Sequence, residues 1–172
     1  MDTLRTARLT LRPLQLSDAD DLFTVRGDPE AMAFWDWPAD PSPAATRDVT
    51  SGLLDEMASG EAVYWTAILD DCRFAGLFDL SGLKTRQGDL GFMVPARLWG
   101  QGLGREGAGA VVQEAWRRGL NGLRSRIHAA NHRSERLLLG LGFAQTGPDG
   151  EIEVRPGVKI ACRFFQLGRP RR

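Results

Sequence analysis

The residues best suited to chemistry form a glycine-rich loop, residues 99–106 (WGQGLGRE). Glycines stand at positions 100, 102 and 104, so a ligand can approach the backbone there without meeting a Cβ atom. The residues that follow have the apolar spacing of a helix, and the first amide groups of a helix attract anions. The loop therefore predicts an anion site that a pyrophosphate group would fit.

Other interpretations of this loop have to be weighed. A strand-to-helix turn without a ligand would also use glycine. Residues 102–107 (GLGREG) match the G-x-G-x-x-G spacing of dinucleotide-binding folds, which would indicate a nicotinamide-dependent oxidoreductase. However, Pro95 ends the preceding strand several residues before the loop, and the strand after the helix lacks a terminal acidic residue for a ribose. A P-loop is excluded because no Gly-Lys-Ser/Thr follows.

The elements that must position the loop alternate between strand and helix patterns. A meander followed by a strand–helix–strand crossover predicts an α/β (α+β) fold with a mixed, mostly antiparallel sheet of about seven strands and helices on both faces. The predicted strands span residues 8–12, 62–69, 73–80, 89–94, 123–128, 143–146 and 158–167. The predicted helices span residues 17–28, capped by Ser17, then 44–59, 102–118 and 132–141.

Composition limits the classes of partner. The 172 residues fit one domain, and 22 basic residues balance 22 acidic ones, which favours neither a nucleic-acid nor a membrane partner. The two histidines and two cysteines lack ligand spacing, so no metal site is predicted. Without a signal region or an apolar run of about 18 residues, we expect a cytoplasmic protein. Residues 169–172 are expected to form a solvated basic tail.

Several segments together carry a family resemblance. Residues 88–95 (GDLGFMVP) and the glycine loop resemble the coenzyme-A-binding motif of the GNAT acetyltransferases, and residues 131–134 (NHRS) with 141–143 (LGF) resemble the second motif of that family. Three features resemble the branch that acetylates ribosomal-protein N-termini (RimJ/RimL-like): residues 8–13 (RLTLRP), the pair Trp99–Gly100, and Ser134 three residues after Asn131. The resemblance covers residues 8–167 and implies a single GNAT domain over residues 1–172.

The resemblance implies acetyl-CoA as co-substrate and no metal. It also implies a sheet that splays between the fourth and fifth predicted strands, with a bulge that frees backbone groups for the pantetheine arm and the thioester carbonyl. We expect Gly104→Val to abolish cofactor binding in a folded protein. The implied cofactor-binding residues are Phe92, Met93, Val94, Gln101, Gly102, Leu103, Gly104, Arg105, Asn131 and Ser134, and Arg105 is the foremost of several arginines for the adenosine phosphate.

The catalytic side chains are less distinct. Asp89 resembles the carboxylate that many relatives carry on this strand and would act as a base through water, unless it is a turn aspartate. Many relatives have a tyrosine that acts as the general acid at the position of Leu138. Ser134 is therefore the expected proton donor to the leaving thiolate, unless it is only a first-turn helix serine. Tyr64 is a more remote candidate.

The acceptor pocket is expected near the early helices. Trp35 and Trp37, with Tyr64, are the candidate acceptor-binding residues, although the tryptophans would also suit a core or a dimer contact. We therefore predict an N-acetyltransferase that acts on a primary amine, either a protein N-terminus or a small molecule, by direct attack in a ternary complex. The alternative is a non-catalytic coenzyme-A-binding sensor, and monomer and homodimer both stay open.

Overall fold

The computed structural model describes residues 2–170, and Arg171 and Arg172 of the predicted basic tail lie outside the described residues. The strands are β1 (Leu4–Arg5), β2 (Leu9–Pro13), β3 (Ala62–Leu69), β4 (Phe74–Ser81), β5 (Gln87–Met93), β6 (Gly122–His128), β7 (Ala144–Gln145), β8 (Gly150–Arg155) and β9 (Val158–Gly168). The helices are α1 (Ala19–Arg26), α2 (Pro29–Met32), α3 (Pro43–Ala58), α4 (Leu103–Arg117) and α5 (His132–Gly140).

The strands form one mixed sheet in the order β1-β2-β3-β4-β5-β6-β9-β7, and β8 pairs with β9 outside this path. Only β5 and β6 run parallel among the described strands, so the predicted mostly antiparallel architecture is confirmed. The prediction of about seven strands was low, because the described residues form nine. The strand β1 has only two residues, and β8 is a half-exposed run of alternating charged and apolar residues, so neither gave a clear apolar pattern.

Helices cover both faces of the sheet, as predicted. The face packed against α4 carries the larger apolar core, in which Trp65, Phe78 and Leu123 are almost completely buried. The opposite face carries a second core with Tyr64, Leu77 and Met93, packed against α1 and α3. We call these the α4 face and the α1 face. No helix among residues 2–170 is long and apolar enough to span a membrane.

The first helix begins differently from its prediction. A 3-10 turn at Leu16–Asp18 precedes α1, and Ser17 does not cap the helix. Instead, the buried Asp18 carboxylate accepts the Gln15 amide at 2.9 Å and pairs with Arg12. Asp18 therefore turns the chain from β2 into α1.

The strands β5 and β6 are paired over only part of their length and then separate. Their parallel pairing runs only from Gln87 opposite Gly122 to Asp89 opposite Arg124. Beyond it, the Ser125 hydroxyl donates to the Leu90 carbonyl at 3.0 Å, and the strands then diverge. This confirms the predicted splay.

The expected bulge at the splay was wrong. Pairing of β5 with β4 continues to Met93 without a register shift. The register shifts of the sheet lie between Ala67 and Ile68 and in the β8–β9 pair. The gap opens because β6 leaves a β5 strand that remains regular.

Candidate active site

The glycine loop ends in an uncapped helix start. Gly102 adopts a left-handed conformation with φ of +79°, and α4 begins at the next residue. The amide of Glu106 donates to the Gly102 carbonyl at 3.0 Å, which closes the first turn. The amides of Leu103, Gly104 and Arg105 precede that bond and have no carbonyl within the helix to bind. Three N–H groups and the positive end of the dipole therefore meet here.

A polar clamp from the start of the chain fixes the loop. Arg8 donates through Nη1 to the Gln101 carbonyl at 3.0 Å and through Nε to Glu106 at 2.7 Å, and Thr6 donates to Glu106 at 2.6 Å. Burial alone would raise the pKa of Glu106, but the hydrogen bonds from Thr6 and Arg8 outweigh it and lower that pKa. The side chain of Gln101 turns back to the Arg97 carbonyl at 3.3 Å.

A cleft of about 370 Å³ runs from this loop through the gap between β5 and β6 to the segment between α2 and α3, residues 33–42, which we call the tryptophan loop. Most of the predicted site residues meet in it. The cofactor and acceptor residues that line the cleft are Trp35, Trp37, Phe92, Met93, Val94, Gly102, Gly104, Arg105, Asn131 and Ser134.

The backbone of β5 presents alternating edges to the cleft. Within a strand, the N–H and C=O of one residue point to the same side and those of its neighbours point to the other. The Leu90 carbonyl faces β6, and the Met93 carbonyl faces β4, where a Cβ on Gly76 would lie 2.3 Å from it. Phe92 therefore directs its N–H and C=O into the gap. Met93 lines the cleft but has no such edge to offer.

The start of α5 forms the opposite wall. Asn131 caps this helix, because its Oδ1 accepts the Ser134 amide at 3.1 Å. Ser134 lines the cleft and is half-buried, whereas Leu138 is completely buried in the core and does not reach it. Leu137 lines the cleft instead.

Two arginines lie beside the glycine loop, and their guanidinium groups have different partners within the protein. The Arg105 guanidinium donates to the Gly140 carbonyl at 2.6 Å, so its head group is held by the end of α5. Arg133 lies 3.6 Å above the Trp99 ring, and both residues line the cleft. A cation held this way leaves its N–H edge open to an anion, so Arg133 suits an adenosine phosphate better than Arg105 does.

The tryptophan loop closes the other end of the cleft. The rings of Trp35 and Trp37 pack at a tilt of 37° with their centroids 5.7 Å apart, and Trp37 is 40% exposed. Asp36 forms an ion pair with Arg126 of β6 at 2.5 Å, which holds the loop across the gap. The hydrogen bonds that Arg126 donates to the Asp36 carboxylate raise the pKa of Arg126. The aromatic side chains thus form a wall of the cleft.

Four predicted residues do not reach the cleft with their side chains. Besides Gln101, the Leu103 side chain is buried in the core, so only its amide can serve a ligand. Asp89 pairs with Arg124 at 2.7 Å and borders a neighbouring cavity of about 450 Å³. Tyr64 is buried and donates to Glu56 at 2.6 Å, and burial raises its pKa, so it keeps its proton.

The sequence prediction missed a carboxyl group beside the cleft. Asp79 of β4 is half-buried and lies opposite Gly91 of β5, which lines the cleft. Burial, followed by the charges of Glu56 and Asp89, raises the pKa of Asp79 to about 7. Its only signal in the sequence is one acidic residue inside an apolar strand pattern, FAGLFDLS.

The expected cofactor can be tested against these groups. A coenzyme with a diphosphate and an amide-bearing arm needs clustered N–H donors and a free strand edge. The helix start and Phe92 supply both along one cleft, and Gly100 and Gly102 place no side chain over the loop. The described residues contain no cluster of three or more His, Cys, Asp or Glu side chains that could hold a metal ion. The donors and the strand edge therefore suit the coenzyme-A thioester that the family resemblance implies.

Comparisons with known proteins give the family. The sequence model of the acetyltransferase (GNAT) domain matches residues 8–144. The chain therefore belongs to the GNAT acetyltransferase family. The chain is 26% identical to Uncharacterized N-acetyltransferase p20 of Bacillus licheniformis, covering 97% of this chain and 96% of that protein.

Solved structures share the fold. The RimL ribosomal-protein alpha-N-acetyltransferase in complex with coenzyme A has a TM-score of 0.85 at 18% identity, covering 97% of this chain and 98% of that chain. The spermidine N-acetyltransferase of Vibrio cholerae in complex with coenzyme A and spermine has a TM-score of 0.80 at 14% identity, covering 95% and 96%.

Proposed function

We propose that this protein transfers the acetyl group of acetyl-CoA directly to a primary amine while both substrates are bound. One observation carries the proposal. A single cleft connects the unpaired amides of α4 to the free edge of Phe92 and then to the tryptophan loop. It therefore offers a place for the diphosphate, for the thioester and for an acceptor, in that order.

Different groups of the chain bind different parts of the cofactor. The amides of Leu103, Gly104 and Arg105 hold the diphosphate. The free C=O of Phe92 and the side chain of Asn131 bind the amides of the pantetheine arm. Arg133 accounts for the adenosine phosphate. The bound cofactor supplies a reactive thioester, so no nucleophilic side chain is needed.

Two groups serve the transfer itself. The Phe92 N–H donates to the thioester carbonyl oxygen, which gains negative charge as the amine attacks, and a fixed donor there lowers the barrier. The Ser134 hydroxyl lines the cleft on the opposite wall and donates a proton to the departing sulfur. Ser134 thereby takes the role of the proton-donating tyrosine that many relatives have at the position of Leu138.

The acceptor enters beside Trp35 and Trp37. The related structures include an enzyme named for ribosomal-protein N-termini and one named for spermidine, and both kinds of acceptor present a primary amine. We therefore keep a protein N-terminus and a small amine as acceptor classes. The continuous sheet supports a single domain, and the cytoplasmic location and the choice between monomer and homodimer stay predictions.

A thiol-release assay tests the proposal. Acetyl-CoA is offered with a panel of N-terminal peptides and small amines, and free thiol and acetylated product are measured together. We expect release with at least one amine and product in equal amount. Tight binding of acetyl-CoA without release under every amine would favour the sensor alternative.

A matched pair of variants tests the binding site. Gly102 and Gly119 both have positive φ, of +79° and +82°, and lie at opposite ends of α4. Alanine is strained at both positions, so Gly102→Ala and Gly119→Ala should lose similar stability, about 1 kcal/mol. Only Gly102→Ala should weaken acetyl-CoA binding, by about tenfold in calorimetry. Equal affinities in the two variants would contradict the site.

A further inference from the structure

The carboxyl group of Asp79 lies over the backbone of β5 next to the gap. Asp79 and Gly91 are direct cross-strand partners on the α1 face. A Cβ built on Gly91 would lie 2.1 Å from the Oδ2 atom of Asp79, so the carboxyl group occupies the space that a side chain would fill. Gly91 itself lines the cleft. The carboxyl group therefore lies against a residue of the cleft wall, although Asp79 is not itself one of the residues that line the cleft.

No cation neutralises this carboxyl group within residues 2–170, and no hydrogen-bond donor of the described part of the chain reaches it. The neighbouring Tyr64 hydroxyl is directed to Glu56 instead. By contrast, Asp89, two residues before Gly91, is paired with Arg124 and is 44% exposed. The oxygen atoms of Asp79 are not among the buried polar atoms that lack a partner, so the carboxyl group can exchange a proton with solvent, and its placement over Gly91 still needs an explanation.

The position of Asp79 relative to Phe92 supplies that explanation. Phe92 follows Gly91 in β5 and directs its N–H into the gap, while the Asp79 carboxyl group covers Gly91 from the α1 face. Trp35 packs against the apolar core of the same face. An amine that passes the tryptophan loop therefore approaches the thioester from the side on which Asp79 lies.

We propose that Asp79, and not Asp89, is the proton acceptor for the incoming ammonium group, directly or through one water. This inference rests on the proposed acetyl transfer. The Asp79 carboxylate takes one proton from the ammonium, and the freed nitrogen lone pair forms the C–N bond as the C–S bond breaks. The departing sulfur takes the electron pair of that bond and a proton from the Ser134 hydroxyl, the second proton lost by the nitrogen restores that hydroxyl through solvent, and Asp79 releases its own proton to solvent.

The surroundings suit this task. Glu56 of α3, Tyr64 of β3 and Asp89 of β5 face the carboxyl group, and none of them is a cation. Burial and the two acidic neighbours raise the pKa of Asp79 to about 7, near which a general base is most effective at neutral pH. Because the base must be ionised, kcat/KM should rise as pH increases through about 7.

The test compares Asp79→Asn with Asp55→Asn, which removes an exposed charge from α3. For Asp79→Asn we expect kcat/KM at pH 8 to fall by about 10²- to 10³-fold and the dependence on pH near 7 to disappear, with acetyl-CoA affinity unchanged. Asp55→Asn should match the wild type. Glu56→Gln should keep the pH dependence but move its midpoint lower, because a negative neighbour of Asp79 is removed.

The outcomes separate this inference from the function. Transfer by the wild type with an unchanged pH profile in Asp79→Asn would overturn the role of Asp79 and leave the acetyltransferase intact. Loss of the pH dependence in Asp89→Asn alone would also overturn it. If Asp79→Asn does not fold, carbon-13 titration of the wild-type carboxyl groups decides: Asp79 near 7 supports the role, and below 5 it refutes it. A wild type that acetylates no amine would refute both.

Discussion

Replacing Asp40 by asparagine should loosen the tryptophan loop from α1. Asp40 closes that loop, and its carboxylate accepts Arg26 Nε at 2.7 Å, Arg26 Nη2 at 3.0 Å and the Thr46 hydroxyl at 2.6 Å. Both side chains of the ion pair are less than a tenth exposed, at 7% and 9%. The Arg26 guanidinium also lies 5.6 Å from the centre of the Trp37 ring. One ion pair therefore joins α1, the loop and α3.

The magnitude follows from the burial of the pair. Removing one partner of a buried ion pair leaves an uncompensated charge and costs about 3–5 kcal/mol. Asparagine retains one acceptor oxygen, so we expect the lower end, about 3 kcal/mol. With a urea dependence of about 2 kcal/mol per molar, the midpoint of unfolding at pH 7 should fall by about 1.5 M. The KM of the acceptor should rise more than the KM of acetyl-CoA.

The lowered pKa of Asp40 determines how the stability difference between wild type and Asp40→Asn changes with pH. Burial alone would raise the pKa of Asp40, but the hydrogen bonds from Arg26 and Thr46 outweigh it and lower that pKa. A lowered folded-state pKa gives stability that is present above the unfolded value and is lost as pH falls through the folded value. The difference between wild type and Asp40→Asn should therefore be complete at pH 7 and narrow as pH falls below about 4.

An exposed pair provides the control. Lys84 and Glu61 are more than half exposed, so Glu61→Gln should leave the urea midpoint unchanged. A midpoint shift in Asp40→Asn below about 0.3 M would refute the argument, and so would a difference that stays constant with pH. Either result would mean that the loop is held by its aromatic contacts and not by the ion pair.

Three further changes have expected outcomes. Arg8→Ala should raise the acetyl-CoA dissociation constant about fivefold, because the Gln101–Gly102 peptide loses the bond that fixes its direction, with an unchanged acceptor KM as the check. Gly107→Ala should lower the melting temperature by about 5 °C or more, because the new Cβ would lie 2.4 Å from the Phe78 ring. Ser134→Ala should lower kcat about tenfold while acetyl-CoA binding in calorimetry stays unchanged.

The backbone part of the site was predictable from the sequence. Alternating glycines before an apolar helix pattern predict unpaired backbone amides, and the structure has those amides at the start of α4. The splay was expected through the family resemblance and is present. The side-chain detail was not predictable, because Gln101 and Arg105 have ordinary ligand chemistry but donate to carbonyl groups of the protein, those of Arg97 and Gly140.

The expected effect of Gly104→Val shows the same limit. We expected a valine to occupy the diphosphate position in a folded protein. A Cβ at Gly104 would also lie 3.0 Å from Leu137 of α5 and 3.6 Å from Val94, and both of these residues line the cleft. Valine would therefore push α5 outward, and loss of binding in this variant would report on packing as well as on the cradle. The direction of a Cβ is set by the packing of α4 on α5, which no local pattern records.

The two parts of the proposed chemistry differ in how they are encoded. The cofactor is held by main-chain groups, so its signature is local: glycines and a helix start in consecutive residues. The proposed proton acceptor is a side chain of β4 that lies over the backbone of β5 beside the gap, in space that is open because β5 carries a glycine there. Neither Asp79 nor Gly91 alone indicates a site in the sequence. Their pairing does, and it depends on the register of two strands. Gly91→Ala should therefore impair transfer as severely as Asp79→Asn, because the added methyl group would displace the carboxyl group from its place beside the gap.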